Sequence, residues 1–129
     1  MAALFEWARY MAATSPDLRL LFHVPNGGPR DARTGARLKA QGVKAGVPDV
    51  VLPVSRRRAG SGPNGACYGG CYVELKVGRG RLSPAQSGWL VALRAAGNVA
   101  AVAQGWVEAA AILERYLAGR CRPDGSLLD

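Results

Sequence analysis

The chain has 129 residues, 49% of them hydrophobic, which suits one domain with one core. Seventeen Lys and Arg against nine acids leave a net charge of +8, so a polyanion, nucleic acid first, is the expected class of partner. No run approaches the ~20 apolar residues of a membrane span, and the opening lacks the basic-then-apolar order of a secretory signal, so a cytoplasmic protein with no membrane partner is expected.

Residues 3–13 place Leu4, Trp7, Ala8 and Met11 at helical spacing. TSPD ends that helix, because Pro16 disfavours helix before it. LRLLFHV (18–24) reads as a strand, and PNGGPR (25–30) as a loop by its Gly and Pro content. DARTGARLKAQG (31–42) reads as a short helix, with Asp31 near its start and Gly42 as its stop. DVVLPV (49–54) reads as a strand whose end Pro53 places at an edge or bulge. SRRRAGSGPNGACYGG (55–70) opens on three arginines and reads as a long, flexible hairpin connection.

CYVELKV (71–77) is the next strand. SPAQ then carries helix-start chemistry, with Ser83 at the N-cap, Pro84 at N1 and Gln86 at N3. That helix runs to about Ala96. NVAAVAQ (98–104) shows little alternation and reads as a central strand covered on both faces. WVEAAAILERYLAG (106–119) reads as an amphipathic helix, and residues 120–129 as a polar tail after a domain spanning 1–119. The order α-β-α-β-β-α-β-α predicts an α/β fold, a mixed β-sheet flanked by helices. Trp89 and Trp106 are read as core, and no aromatic run resembles a stacking platform for single strands. Cys67, Cys71 and Cys121 are an odd count without zinc-ligand spacing, so reduced thiols are expected.

Two acids stand out in so acid-poor a chain. Strand alternation puts Tyr72, Glu74 and Lys76 on one face and Val73, Leu75 and Val77 on the other. If residues 49–54 and 71–77 pair as a hairpin, Asp49 and Glu74 meet at one end of the sheet. Neighbouring carboxylates raise one another's pKa unless a cation lies between them. Oxygen ligands on a rigid sheet suit Mg²⁺ or Mn²⁺, with the Leu75 backbone carbonyl as a further ligand and waters completing the shell. Lys76 follows on the same face about 6.6 Å along the strand, where it can orient or deprotonate an attacking water or stabilise charge on a phosphate. Such a set is a metal-dependent phosphodiester-hydrolysis site. Glu-x-Lys on a strand is also common as a solvated, self-paired face, so a plain structural domain and a non-catalytic nucleic-acid-binding module stand as alternatives.

The motifs GVKAGVPD, ELK and GRLSPAQSGWL, in that order, resemble the VRR-NUC domain, a branch of the PD-(D/E)xK nuclease superfamily. The resemblance covers about residues 4–118. It implies a restriction-endonuclease-like core, Asp49 and Glu74 as metal ligands, and Lys76 as the catalytic lysine. It also implies a site acid at Glu6, otherwise a solvated helix acid. Gln86 matches a recurrent family glutamine, or serves only as the capping partner of Ser83. The resemblance further implies a stand-alone domain that acts as a homodimer on branched DNA such as four-way junctions, with no small-molecule cofactor. The 55–70 connection is longer than the family's usual one. For DNA phosphates the candidates are Lys44, Arg56, Arg57, Arg58, Arg79 and Arg81, expected around the active end of the sheet, and Asn26 and Arg30, in a glycine loop whose backbone can approach a phosphate.

Overall fold

The computed structural model describes residues 1–25, 31–62 and 64–128. In chain order these form α1 (Ala2–Met11), a 3-10 helix (Pro16–Leu20), β1 (Phe22–His23), α2 (Ala32–Ala40), β2 (Val50–Leu52), β3 (Arg56–Arg57), β4 (Cys67–Tyr68), β5 (Cys71–Lys76), α3 (Pro84–Ala95), β6 (Val99–Gln104) and α4 (Trp106–Leu117). β1, β2, β5 and β6 make one sheet in that spatial order. Its first two pairings are antiparallel and β5–β6 is parallel, so the sheet is mixed. Apart from the added 3-10 helix and the short β3 and β4, the α/β order read from the sequence is the order found.

Alternation decides which side chains meet which helices. Val50, Leu52, Cys71, Val73, Val99, Ala101 and Ala103 face α4 and α1 and form the main core with Leu4, Ala8, Leu113 and Tyr116. Val51 and Ala100, one residue out of phase, are buried on the opposite side, where α3 packs on β6 and brings its one buried residue, Leu90. Ser83 and Gln86 start α3 with the predicted reciprocal capping box. Asp31 caps α2 through the Thr34 N–H, and its bond there holds the Asp31 carboxyl below its ordinary pKa.

Several local readings need correction. Residues 18–24 are not one strand: Pro16 opens a 3-10 helix, whose tighter turn buries Leu18 and then Leu21, three residues on. Strand pairing is left to Phe22 and His23. Residues 55–70 contain a small antiparallel ladder of their own, Arg56 opposite Tyr68 and Arg57 opposite Cys67. β6 is an edge strand rather than a central one. Helices cover both its faces, which removes the alternation, while its outer edge is met by the Ala100 N–H donating to the Pro123 carbonyl at 2.9 Å. Val77 lies beyond the end of β5 and is 83% exposed, and Trp106 is exposed at the first turn of α4.

The segment read as a polar tail packs onto the domain. Cys121 is buried, Tyr68 donates to its carbonyl at 3.2 Å, and Arg115 donates to the Gly125 carbonyl at 2.9 Å. Gly125, at φ +86°, lies so close to the sheet that a Cβ there would come within 2.6 Å of Ala101. No helix among the described residues is long and apolar enough to cross a membrane.

Candidate active site

The β2–β5 ladder pairs Val50 with Val73, Val51 with Tyr72 and Leu52 with Cys71. One step further sets Asp49 opposite Glu74, and partners directly opposite point to the same face. Buried Pro48 delivers the chain to that position. Asp49 Oδ2 accepts the Leu75 N–H at 2.9 Å, so a side chain continues the ladder where the backbone pairing stops. The N–H and C=O of one strand residue lie on the same edge, which aims the Leu75 carbonyl toward Asp49 as well.

Glu74 is the one buried charged residue among the described residues. Its Oε1 accepts from Gln86 Nε2 at 3.0 Å and stands 3.9 Å from Lys76 Nζ. Its Oε2 is buried without a well-formed hydrogen bond, while the Asp49 carboxyl and backbone N–H lie near enough to the Glu74 carboxyl to act on it by weaker hydrogen bonding. Loss of hydration pushes the Glu74 carboxyl up to about 7, the Asp49 charge pushes the same way, and Lys76 opposes both. The arrangement is the one deduced from strand alternation, two carboxyls sharing one face with an ammonium group.

Gln86 is the capping partner of Ser83 and at the same time bonds both Lys76 and Glu74. Its Oε1 accepts from the Ser83 N–H at 2.9 Å and from Lys76 Nζ at 2.8 Å, while its Nε2 donates to Glu74. The capping box thus fixes the first turn of α3 and, through the same side chain, the relative positions of Lys76 and Glu74.

The loop before Asp49 is clamped against that turn. Gly46 sits at φ +86°, and a Cβ there would come within 2.6 Å of the Ala85 backbone, so only glycine permits the approach. Trp89 Nε1 donates to the Ala45 carbonyl at 3.0 Å. Trp89, expected in the core, is instead half-buried outside the main core, because its indole N–H reaches across to this loop. The sequence signal for its place beside the site is the spacing of Gln86 and Trp89, which puts both on one helix face.

The remaining candidates divide by position. Lys44 precedes Asp49, and Arg79 and Arg81 follow Lys76; all three are exposed at the carboxylate end of the ladder. Arg56, Arg57 and Arg58 are not at that end. Asp49 begins one strand and Glu74 lies near the finish of its partner, so the segment joining them must lie at the opposite end of an antiparallel pair. There Arg56 is committed to Asp17 and to the carbonyls of Leu117 and Ser55. Arg58 lies over the Tyr68 ring, 5.1 Å from its centroid. Glu6 is exposed on α1 and makes no hydrogen bond or ion pair to the carboxylate cluster among the described residues. Asn26 and Arg30 lie outside the described residues.

Among the described residues no three His, Cys, Asp or Glu side chains converge, so the carboxylate pair stands by itself. Two carboxylates and a backbone carbonyl are oxygen donors of the kind magnesium takes from a protein. The poorly bonded Glu74 oxygen and the mutual repulsion of the pair are what a cation would relieve. The residues therefore fit a divalent ion.

The family model of the VRR-NUC domain matches residues 12–106. The chain belongs to the VRR-NUC family. A solved structure titled "VRR_NUC domain protein" superposes with a TM-score of 0.72 at 25% identity, over 98% of this chain and 92% of that one. None of the curated proteins matches the chain. The VRR-NUC match takes in Asp49, Glu74, Lys76 and Gln86 and leaves Glu6 outside. It gives the carboxylate cluster a nuclease-type fold as its setting.

Proposed function

We propose that this VRR-NUC chain is a Mg²⁺- or Mn²⁺-dependent DNA endonuclease that hydrolyses phosphodiester bonds in branched DNA, four-way junctions included, as a homodimer. The observation that carries the reading is a buried carboxylate oxygen without a well-formed hydrogen bond, beside a second carboxylate and a lysine. Asp49 and Glu74 would hold the ion, with the Leu75 carbonyl beside them. A divalent ion there supplies Lewis acidity toward a phosphate oxygen and makes water a better nucleophile at neutral pH.

The chain's own residues supply the rest. Lys76 presents its ammonium group where negative charge develops on the phosphate and can orient the attacking water. Gln86 keeps Lys76 and Glu74 from collapsing into a tight pair, since it bonds both. Lys44, Arg79 and Arg81 are exposed around this end and suit backbone phosphates, which makes binding salt-sensitive. A two-fold dimer would present two such sites to the two strands of a junction. Trp106 and Val107, exposed beside Gly105, whose N–H donates to the Lys76 carbonyl, offer apolar surface near the site for that contact.

Cleavage of a labelled four-way junction with Mn²⁺, with and without EDTA, tests the reading. Cutting is expected only with the metal, and Asp49→Ala is expected to reduce it at least about 1,000-fold, on the scale of losing a principal transition-state group, while junction binding persists. Cutting by Asp49→Ala at the wild-type rate would overturn the site assignment.

A further inference from the structure

Beside the carboxylate cluster lies an apolar groove of about 600 Å³ that the reaction as derived does not use. Val24, Leu38, Val43, Val47 and Trp89 line it, and exposed Lys44 is the one charged side chain on it among the described residues. Three connections tie it to the site. Val24 donates its N–H to the Asp49 carbonyl at 2.7 Å. Trp89 follows Gln86 by one turn on the same face of α3. Gly46 abuts the Ala85–Gln86 backbone, so the loop carrying Val43 and Lys44 packs directly on the turn that bears Gln86. The Trp89 ring is held by its bond to Ala45 and is a fixed wall.

An apolar slot with an aromatic wall and a lysine on it matches a nucleotide, which has a flat base with two π-faces and an anionic phosphate. A base paired within a duplex has no free face to offer such a slot. An unpaired one has two.

We infer that this groove seats one unpaired nucleobase of the DNA substrate, with the adjoining phosphate at Lys44, and so selects DNA in which a base is already out of the stack. The inference rests on the nuclease reading for its substrate class and adds a second recognised feature, an unpaired base, which bulged and flapped branches offer and a fully paired four-way junction does not.

The test uses the full chain in EDTA and three duplexes: fully paired, carrying one extrahelical base, and carrying an abasic residue at the same point. Anisotropy titrations are expected to show about ten-fold tighter binding to the extrahelical base than to either other DNA, the size of one stacked base. Val43→Glu puts a carboxylate on a residue already 40% exposed, where folding tolerates it, and is expected to bring that ratio to about one. Trp89→Ala is expected to do the same, with its melting temperature measured alongside.

Equal wild-type affinity for all three DNAs would overturn the inference, as would a Val43→Glu variant that keeps the preference. A Val43→Glu variant that turns a dimer into a monomer and keeps the preference would make the groove an interface between copies and also overturn it. Mn²⁺-dependent cutting of the junction, measured in parallel, separates the two readings. Cutting without base preference sinks the groove alone. Base preference without cutting sinks the catalytic reading and leaves the groove standing.

Discussion

At one end of the β2–β5 ladder Glu74 leaves a buried oxygen without a well-formed hydrogen bond beside another carboxylate, whereas at the other end Arg56 reaches Asp17, Leu117 and Ser55 at once. The second such buried atom, Arg58 Nε, belongs to a guanidinium lying over the Tyr68 ring, so its charge faces a π-surface rather than a like charge. The two ends are a few residues apart on the same strands, yet one satisfies its charges and the other concentrates a repulsion that folding does not need. Stability alone would place an apolar pair at Asp49 and Glu74, as it does at Val50 and Val73 next door. A site that stores unfavourable charge is one that gains by taking a ligand of opposite charge.

The sharpest way to break this contrast is at Lys76. Lys76→Met is expected to lower the rate of junction cleavage at least about 100-fold, in line with loss of a charge that acts in the transition state. Mn²⁺ should still raise the variant's melting temperature, because the two carboxylates remain. A variant that cleaves normally would return Lys76 to the role of a paired surface lysine.

The next effect is on stability and concerns pH. The Glu74 carboxyl titrates at about 7 in the folded chain against an ordinary 4.5, so between those values the folded state holds a proton that the unfolded state has released. Stability of the metal-free protein is therefore highest on the acid side of this window and falls as pH rises through it, by on the order of 2–3 kcal/mol. Glu74→Gln should flatten the fall and be more stable than wild type at pH 8, and Mn²⁺ should stabilise wild type at pH 8 but not the variant. Urea titrations at pH 5 and pH 8 measure both. A wild-type stability that rises over the same interval would show that Glu74 is ionised and already paired.

The smallest effect is at the far end. Arg56→Ala removes one charged partner of Asp17 and two bonds to carbonyls, and since both side chains are partly exposed about 1 kcal/mol of stability is expected to be lost. Cleavage rate and the Mn²⁺-induced rise in melting temperature should be unchanged. A large loss of cleavage would mean that the two ends are coupled, and the contrast drawn between them would fail.

Much of the site was legible before any coordinates. Period-2 alternation placed Glu74 and Lys76 together, the hairpin placed Asp49 opposite, and SPAQ announced its own capping box. These are local rules, in which a residue's neighbours along the chain dictate its direction. The edge position of β6 was not legible, because helices on both faces erase alternation as thoroughly as neighbouring strands do. Nor was the packing of residues 120–128, where polar composition concealed Cys121 and the close approach of Gly125 to Ala101. Arg56–Arg58 follow β2 directly in sequence, and only the antiparallel direction of its pairing with β5 sends them away from the carboxylates.

Sequence reading reached a basic α/β domain resembling the VRR-NUC family, with Glu74 and Lys76 on one strand face and Asp49 opposite Glu74 once the two strands pair. Tertiary structure alone decided that Gln86 bonds both Lys76 and Glu74, that one Glu74 oxygen is left without a well-formed hydrogen bond, and that Trp89 walls a groove beside them. The physical reason is range. Alternation and capping act within a few residues, whereas burial of a carboxylate and the joining of a loop to a helix 40 residues later require contacts that form only when the chain closes on itself.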